Sequence, residues 1–405
     1  MNVSPDRIAR DIAEIAKFSE VAVQEGYSRP TFSQAWEGAT EYLAAELRAL
    51  GCKIHRDAAG NLRARPADLS WNAPAWLSGS HLDSVPTGGR FDGVVGVVAA
   101  LEVLRACPAA PLELIAFSEE EGTTFGLGMV GSRLWSGSLA VSTMQELRNR
   151  MGATFAEAGS PYGVRTHFAP EDRLDPRRYR GFIELHVEQG AGLWNQNVPV
   201  AVVTAANGRR QFLATVRGSA NHAGSTRMSD RRDSLAGAAE MVLAVESLAR
   251  SLDGSVPHSV LTVGKLVVHP NAFNVIPGAV EFTVDLRARL DATLDEGETG
   301  LHTRLESIAA DRKLDLDISR IEALPVVPMD SAVCAALRAA ASRKGLHPLD
   351  VVSGALHDAV ILAPFLPTAM LFIASRDGIS HHPSEFSRLE DITLATEILA
   401  ETVTS

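Results

Sequence analysis

Cysteine and aromatic residues are scarce in this chain of 405 residues. The three cysteines, Cys52, Cys107 and Cys334, lie far apart, and none of them belongs to a C-x-x-C pair. Neither a disulfide framework nor a zinc site built from thiolates is therefore indicated. Aromatic residues make up 6% of the chain, whereas 46% of it is hydrophobic and 21% is charged. This composition is typical of a globular protein and excludes disordered, collagen-like and coiled-coil proteins.

Positive charge is also in deficit. The chain has 38 lysine and arginine residues against 49 aspartate and glutamate residues, a net charge of −11 at pH 7. Because no basic stripe is present, we expect no binding to nucleic acid. The apolar run at 359–375 contains Pro364 and Pro367 and is too short to cross a membrane as a helix. Residues 1–18 lack the unbroken apolar core of a signal peptide, so we expect a soluble cytoplasmic protein.

Apolar runs alternate with helical patterns in the first half of the chain. The runs at 74–79 and 112–117 predict strands, and the segment 93–106 between them predicts a helix. This order is typical of a parallel α/β unit, whose active residues gather at the carboxyl ends of the strands. The same patterns predict helices at 5–25, 34–50, 331–344 and 389–403, a hairpin at 57–65, and strands at 182–187 and 368–375.

The pattern changes at residue 209. Strands are predicted at 210–218, 260–269, 279–288 and 314–322, and helices at 234–252 and 299–313. That order is typical of a four-stranded antiparallel sheet with helices on one face. We therefore expect an α/β fold in which residues 1–208 and 325–405 form a catalytic domain. Its sheet is mixed and mainly parallel, with helices on both faces, and residues 209–324 form an inserted α+β domain.

Polar residues that can hold metal ions follow the predicted strands. His81 and Asp83 are two positions apart at a strand end and point to one side, as a metal ligand and a carboxylate that orients it would. Asp92 lies in a loop flanked by glycines. Taken alone, these residues could also form an ordinary polar turn.

The acidic run at 119–121 follows an unusually apolar strand. Three consecutive carboxylates repel one another unless a cation lies among them. Directly after this run, the segment GLGMVG (126–131) fits the G-x-G-x-x-G fingerprint of dinucleotide binding. That fingerprint must follow its strand immediately, and here the acidic run intervenes and would repel a pyrophosphate. Nucleotide binding is therefore disfavoured.

Repetition of the pattern favours a metal site over isolated structural histidines. His81, His186 and His381 each end or follow a predicted strand of one sheet, as do Glu120 and Glu121. A set of histidines and carboxylates without thiolates suits a pair of divalent ions such as Zn²⁺ or Mn²⁺. Two such ions bridged by one carboxylate form a hydrolytic site.

Eight motifs in order along nearly the whole chain resemble those of the M20-type dinuclear metallohydrolases. They are HLDSVPTGGRFDG, SEEEGTTF, ELHVEQG, GSANHAGSTRMSDRRD, PNAFNVIPG, DLR, SGALHDA and GISHHPSE. The branch that they resemble most acts on N-carbamoyl-L-amino acids, β-ureidopropionate and allantoate. The inserted domain is similar to the lid domain of that family, which commonly forms a dimer contact.

The resemblance implies a role for each polar residue at the strand ends. Two divalent ions per subunit, Zn, Mn or Co, are expected, with Asp92 as the bridging ligand. His81 and His186 would bind one ion, and Glu121 and His381 the other. Glu120 would be the general base, and Asp83 would hold the tautomer of His81.

The resemblance assigns further roles to four residues. His222 of the lid would stabilise the oxyanion, reaching in from the partner subunit of a homodimer. Asn274 and Arg287 of the lid would grip the substrate carboxylate, a task that suits the planar fork of arginine. We also assign Gln189 of ELHVEQG to substrate binding. Without the resemblance, His222 would be an ordinary loop histidine and Arg287 a surface arginine.

The chain departs from the family pattern mainly on the side of the substrate pocket, at Thr124, Arg209, Arg227, Leu356 and Val360. The resemblance therefore implies hydrolysis of a carbamoyl C–N bond in a small N-carbamoyl or ureido acid, without identifying the substrate. Alternatives within the branch are an allantoate amidohydrolase or a β-ureidopropionase. More distant alternatives are an aminoacylase or dipeptidase, a metal-free binding module, and a nicotinamide oxidoreductase.

Overall fold

The computed structural model describes residues 2–405. The chain separates into two compact units, one made of the residues up to Thr204 together with Pro328–Ser405, the other of Ala205–Val327. The boundaries predicted from the sequence were 208/209 and 324/325.

The described residues contain eleven α-helices and sixteen strands. The helices are α1 (Pro5–Ala16), α2 (Gln34–Ala49), α3 (Val94–Ala106), α4 (Val130–Ser136), α5 (Phe155–Gly159), α6 (Gly192–Gln196), α7 (Ser234–Ser255), α8 (Asp291–Arg312), α9 (Ser331–Arg343), α10 (Asp358–Leu362) and α11 (Leu389–Thr404). The strands are β1 (Lys53–Arg56), β2 (Leu62–Arg65), β3 (Ala75–His81), β4 (Leu112–Phe117), β5 (Tyr179–Val187), β6 (Val200–Ala206), β7 (Gly208–Arg217), β8 (Asn221–His222), β9 (Val260–Thr262), β10 (Leu266–His269), β11 (Val275–Ile276), β12 (Ala279–Ala288), β13 (Asp315–Leu324), β14 (Val327–Pro328), β15 (Leu349–Ser353) and β16 (Thr368–Ile373). No helix of the described chain combines the length and the apolar character needed to cross a bilayer.

The first unit is built on a mixed sheet with the strand order β1-β2-β4-β3-β5-β16-β6-β14, and β15 pairs with β6. The central strands β4, β3, β5 and β16 are mutually parallel, whereas β1, β2 and β6 pair antiparallel with their neighbours. In register, His81 lies opposite Phe117, and His186 lies opposite Phe372. The predicted mainly parallel sheet is confirmed, and the carboxyl ends of its central strands share one edge.

Close contacts with backbone carbonyls explain two glycines of this unit, one on α3 and one on β3. Every residue of α3 from Val94 to Leu104 is buried. A Cβ at Gly96 of α3 would lie 2.4 Å from the carbonyl oxygen of Leu185, and one at Gly79 of β3 would lie 1.7 Å from that of Ile115. Neither position has room for a side chain. The absence of a Cβ lets the backbone of α3 pack directly on β5 and the backbone of β3 lie close to that of β4.

A buried ion cluster ties β2 to β4 and β5. The Glu113 carboxylate accepts hydrogen bonds from Arg63 Nε at 2.7 Å, from Arg65 Nε, and from Tyr179 Oη at 3.0 Å. Burial alone would raise the pKa of Glu113, but the two arginines outweigh it and hold that pKa below its ordinary value. Since both guanidinium groups are almost fully buried, each depends on this one carboxylate for its counter-charge.

The second unit contains an antiparallel sheet with the order β10-β12-β7-β13, and β9 also pairs with β12. Helices α7 and α8 pack together and against this sheet. Burial alternates along β12, as the period of two in its sequence predicted. The sheet has five strands rather than four, because the predicted strand 260–269 is divided.

The division of that strand has a local cause. Thr262 pairs with Asp285 and Leu266 pairs with Phe282, so the divided strand has one more residue than β12 between these pairs. An extra residue of this kind forms a β-bulge, and Gly264 lies within it.

The prediction of a helix from 5 to 25 was wrong in its length, since α1 ends at Ala16. The buried face of α1 contains Ile8, Ile12 and Ile15, and the chain then turns back on itself. The backbone N–H of Glu20 donates to the carbonyl of Ser28 in that turn. Helix α8 also differs from its prediction, because it begins at Asp291 instead of residue 299.

Candidate metal centre

The polar side chains that follow β3, β4, β5 and β16 converge at the shared edge of the first sheet. Ligand atoms of His81, Asp92 and His186 lie within 4.8 Å of one another, and so do those of Asp92, Glu121 and His381. A third such group contains His81 and the two consecutive glutamates Glu120 and Glu121. The structure therefore brings together every residue that the sequence analysis proposed as a metal ligand.

The Asp92 carboxylate is shared between the two sides of this cluster. Its Oδ1 atom lies 3.1 Å from His186 Nε2 and 3.5 Å from His81 Nε2. Its Oδ2 atom lies 3.3 Å from His381 Nε2, and His381 Nε2 lies 3.6 Å from Glu121 Oε2. Each carboxylate oxygen thus faces a different set of nitrogen and oxygen donors.

The glycine that follows Asp92 permits this approach. Gly93 has a φ angle of +65°, and a Cβ at this position would lie 2.5 Å from His81 Cε1. A side chain at position 93 would therefore collide with the His81 ring, and α3 begins directly after this residue. The glycine-flanked loop places the Asp92 backbone close against the histidine.

Backbone carbonyls set the tautomers of two histidines. His81 Nδ1 lies 2.9 Å from the carbonyl oxygen of Asp83, and His186 Nδ1 lies 2.9 Å from that of Val187. A carbonyl oxygen only accepts hydrogen bonds, so each Nδ1 carries the proton. In the neutral ring, Nε2 then has its lone pair directed at Asp92, the state that a metal ligand requires.

The role predicted for the Asp83 carboxylate is corrected by this geometry. Its Oδ1 atom lies 3.9 Å from His81 Nδ1, beyond hydrogen-bonding distance, and the backbone carbonyl of the same residue orients the ring instead. The carboxylate accepts the backbone N–H groups of Glu120 at 3.3 Å and Glu121 at 3.1 Å. Asp83 therefore holds the acidic segment after β4 in place.

Several buried polar atoms of the cluster lack hydrogen-bond partners among the described residues. They are His81 Nε2, His186 Nε2 and Glu121 Oε1. An unpaired buried polar atom costs free energy, and two nitrogens and a carboxylate oxygen directed into one cluster are the donors that divalent ions bind. The residues present therefore fit a divalent metal site.

The carboxylates of the cluster crowd one another. Burial, together with the neighbouring Asp92 carboxylate, raises the pKa of Glu121 to about 7. Burial raises the pKa of Glu120 well above its ordinary value, with further contributions from Glu121 and Asp358. Burial would also raise the pKa of Asp92, but the three facing histidines lower it well below its usual range. A bound cation would relieve the repulsion between the two glutamates.

Gln189, which the sequence analysis assigned to the substrate, lies on the metal cluster. Its Nε2 atom donates to Asp92 Oδ2 at 2.8 Å and lies 3.3 Å from His381 Nε2. Its backbone is in the left-handed region, with a φ angle of +58°, two residues after the end of β5. The side chain is therefore at the open, His381 side of the cluster.

The three remaining predicted residues lie in the second unit. His222 is exposed on β8, and its Nδ1 accepts backbone N–H groups from Gly224 and Ser225 at 3.0 and 3.2 Å. The neutral ring therefore carries its proton on Nε2 and can donate it. Asn274 directly precedes β11, the partner strand of β8, and its carbonyl accepts the N–H of Ala223 at 3.0 Å.

Arg287 lies on β12, where its Nε donates to Asp285 Oδ1 at 2.8 Å. In the pairing of β12 with β7, Arg287 lies opposite Arg209, which is itself paired with Glu322. Arg287 and Arg209 therefore each have a carboxylate partner within the second unit.

The glycine-rich segment 126–131 has a structural role. The backbone N–H groups of Met129, Val130 and Gly131 donate to the carbonyls of Glu120, Glu119 and Ser118 at 2.8, 3.0 and 2.9 Å. These donors are the groups that would cradle a pyrophosphate in a dinucleotide site, and they are already bonded. The segment thereby holds the acidic run in place.

Two groups of this centre were not predicted from the sequence. Glu385 accepts the backbone N–H of Asp92, and the ring of His357 lies 4.4 Å from that of His186 between centroids. Both residues stand in motifs quoted above, GISHHPSE and SGALHDA. The signal available for Glu385 was its place shortly after the proposed ligand His381, whereas no proposed ligand lies near His357 in the sequence.

Comparison with known proteins shows what the whole chain is similar to. Residues 77–405 match the model of peptidase family M20/M25/M40. The chain is 38% identical over 384 residues to an N-carbamoyl-L-amino acid amidohydrolase of Geobacillus stearothermophilus, covering 93% of each chain. It is 33% identical over 383 residues to an allantoate amidohydrolase of Escherichia coli, covering 93% of this chain and 92% of the other.

A solved structure shows the same likeness in three dimensions. An amidase of the hydantoinase/carbamoylase family from Burkholderia vietnamiensis superposes with a TM-score of 0.88 at 35% identity, over 99% of this chain and 97% of the other. The family resemblance proposed from eight motifs is confirmed. This chain belongs to peptidase family M20/M25/M40.

Proposed function

We propose that this protein is a metal-dependent amidohydrolase that cleaves the carbamoyl C–N bond of N-carbamoyl-L-amino acids or related ureido acids. The observation that carries the proposal is the Asp92 carboxylate, whose two oxygens face separate donor sets beside the buried Glu120. The named activities of the relatives support a carbamoyl or ureido substrate.

The proposed ligands divide into two sets joined by Asp92. His81 and His186 hold one divalent ion, and Glu121 and His381 hold the other, with Zn, Mn or Co as the metal. When bound, such ions polarise a carbonyl and lower the pKa of a bound water toward neutrality. The unpaired buried nitrogens of His81 and His186 support this assignment.

Glu120 is the proposed general base. Its carboxylate is buried, and Glu120 Oε2 lies 3.6 Å from His81 Nε2. Glu120 therefore lies beside the proposed metal ligands but is not a member of the two ligand sets that Asp92 joins. Glu120 accepts a proton from the attacking water and returns it to the leaving nitrogen. Carbamoyl cleavage then yields the free amino compound and carbamate, which breaks down to ammonia and carbon dioxide.

The second unit is the proposed lid. His222 donates from Nε2 to the oxyanion, and Asn274 and Arg287 bind the substrate carboxylate. The hydrogen bond between Ala223 and Asn274 supports this set, because it joins the segment of His222 to that of Asn274. When the substrate binds, Arg287 would either leave its ion pair with Asp285 or bind Asp285 and the substrate carboxylate together. Closure of the lid can drive this rearrangement.

A homodimer formed through the lids, with His222 completing the partner's site, is part of the proposal. Mixing His222→Ala chains with Glu120→Gln chains tests it after subunit exchange has been verified. Heterodimers would then contain one site with a normal Glu120 and a normal His222, so activity should recover. Absence of recovery would place His222 in its own chain's site or outside catalysis. The cytoplasmic location stays a prediction.

A substrate screen tests the proposed reaction. Ammonia release is measured over several N-carbamoyl-L-amino acids, β-ureidopropionate and allantoate, each with added Mn²⁺, Zn²⁺ or Co²⁺. For N-acetyl amino acids and dipeptides, the comparison substrates, release of the free amino acid is measured, since their cleavage yields no ammonia. Glu120→Gln protein serves as the control for contaminating activity. Metal-dependent ammonia release from a carbamoyl substrate is expected. Cleavage confined to acetyl or peptide bonds would instead indicate an aminoacylase or dipeptidase.

A further inference from the structure

Glu385 connects the two loops that bring Asp92 and His381 together. Its side chain is 5% exposed and lies between the loop before α3 and the loop after β16. Oε1 accepts the backbone N–H groups of Phe91 at 2.9 Å and Asp92 at 3.0 Å. This single carboxylate oxygen therefore fixes the backbone at the proposed bridging ligand.

The other carboxylate oxygen reaches the Asp92 side chain through a hydroxyl. Ser380 Oγ donates to Glu385 Oε2 at 3.0 Å and lies 3.2 Å from Asp92 Oδ2. Ser380 directly precedes His381, whose Nε2 faces the same Asp92 oxygen at 3.3 Å. One side chain is thus linked to the backbone of Asp92, to its carboxylate and to the segment that carries His381.

The Asp92 loop has a glycine where the Glu385 carboxylate packs against it. A Cβ at Gly89 would lie 2.3 Å from Glu385 Oε1, so only a glycine lets the carboxylate fit against the loop. Glycine also has more conformational freedom in the unfolded chain than any other residue, and it loses that freedom on folding. Glu385 Oε1 accepts two successive backbone N–H groups and so restricts the backbone at Asp92, the proposed ligand.

Glu385 itself stands on a segment anchored to the sheet. The carbonyl of Phe386 accepts the N–H of Arg376 at 2.8 Å, and Ser387 Oγ donates to the carbonyl of Ala374 at 2.9 Å. Ala374 directly follows β16. The carboxylate is therefore a fixed point from which the glycine-rich loop is positioned.

We propose that Glu385 is a positioning residue. By holding Asp92 and the segment of His381 in fixed positions relative to each other, it sets the affinity of the centre for divalent metal ions. Groups that orient metal ligands typically contribute 10–100-fold to metal affinity. The inference rests on the proposed metal centre and is independent of the proposed substrate.

The test compares three variants by their affinity for Zn²⁺ and Mn²⁺, measured by competition with a chelator. In Glu385→Ala all three hydrogen bonds are lost, and the affinity should fall about 10–100-fold. In Glu385→Gln the amide oxygen still accepts both backbone N–H groups, so the loss should be less than tenfold. Ser380→Ala removes only the link to the two carboxylates and should weaken binding severalfold.

Asp172 provides a matched control in the same unit. Its carboxylate is 1% exposed and likewise accepts backbone N–H groups from two loops, those of Ala58 at 3.1 Å and Ala169 at 3.0 Å. None of these residues stands beside a proposed ligand. Asp172→Ala should lower the melting temperature of the metal-free protein while leaving metal affinity unchanged.

The outcomes separate positioning from a general effect on folding. Wild-type metal affinity in Glu385→Ala, or an equal loss of affinity in Asp172→Ala, would overturn the proposal. If Glu385→Ala does not fold, the metal affinity of Ser380→Ala becomes the test. An unchanged metal affinity in Ser380→Ala would then overturn the proposal. Failure of the wild-type protein to bind either metal would instead refute the metal centre itself.

Discussion

Glu120→Gln tests the proposed chemistry most directly. The change keeps the size and shape of a buried side chain and leaves intact the backbone hydrogen bond from Glu120 to the Asp83 carboxylate. It removes only the ability to accept a proton at neutral pH. Since Glu120 is outside both ligand sets that face Asp92, the metal content should stay at the wild-type value.

The expected loss of turnover follows from the role of the base. A positioned general base contributes about 10²–10⁴-fold to the rate. At about 1.36 kcal/mol per factor of ten, this corresponds to a rise of roughly 2.7–5.4 kcal/mol in the activation free energy. The loss should appear in kcat, because the substrate-binding residues are unchanged.

The structure predicts a second, opposite effect on stability. Burial raises the pKa of Glu120 above that of an exposed glutamate, so ionising this side chain at neutral pH costs folding free energy in the metal-free protein. Glutamine carries no charge to bury. Metal-free Glu120→Gln protein should therefore melt at the wild-type temperature or above it.

The assay combines ammonia release, metal analysis and thermal melting, with Glu119→Gln as the matched control. Glu119 is the preceding buried glutamate, and its Oε1 accepts the N–H groups of Thr124 at 3.0 Å and Phe125 at 2.7 Å, bonds that an amide oxygen can keep. Turnover of Glu120→Gln within tenfold of the wild type would refute the assignment of the base. An equal loss in Glu119→Gln would show that neutralising either glutamate impairs the site.

Three further predictions concern the centre and its scaffold. Asp92→Ala should lose both metal ions together in metal analysis, and one equivalent retained at unchanged affinity would disprove a bridging role. Glu113→Gln leaves two buried arginines without their counter-charge and should lower the free energy of unfolding at pH 7 by about 3–5 kcal/mol in urea titrations. Because the folded pKa of Glu113 is depressed, this stabilisation is present above the unfolded value of about 4.3 and disappears as the pH falls through the folded pKa. Gly79→Ala should prevent folding at 37 °C, since its Cβ would overlap the Ile115 carbonyl, and a normal melting temperature would contradict this packing.

Local sequence determined the parts of the fold whose signals are short-range. Strand β4 was predicted with the bounds that the structure has, because a short buried run with five apolar residues out of six is followed at once by polar ones. Helix α3 and strand β12 were predicted within one residue for the same kind of reason. The end of α1 at Ala16 was missed, because the turn after it depends on a bond between Glu20 and Ser28.

The proposed ligands could also be found from the sequence. His81 and His186 lie at the ends of parallel strands, and parallel strands place such ends at one edge whatever the details of packing. The residue types alone then indicated the chemistry of a divalent site.

Which atoms of these residues make the contacts depends on how the chain folds. Asp83 offers both a carbonyl and a carboxylate near His81, and the path of the backbone directs the carbonyl to the ring and the carboxylate to the N–H groups after β4. Glu385 and Asp92 are 293 positions apart, and their hydrogen bond exists because two loops meet after the sheet has formed. No local pattern encodes a contact of that range, since its geometry depends on how every strand between the two loops has packed.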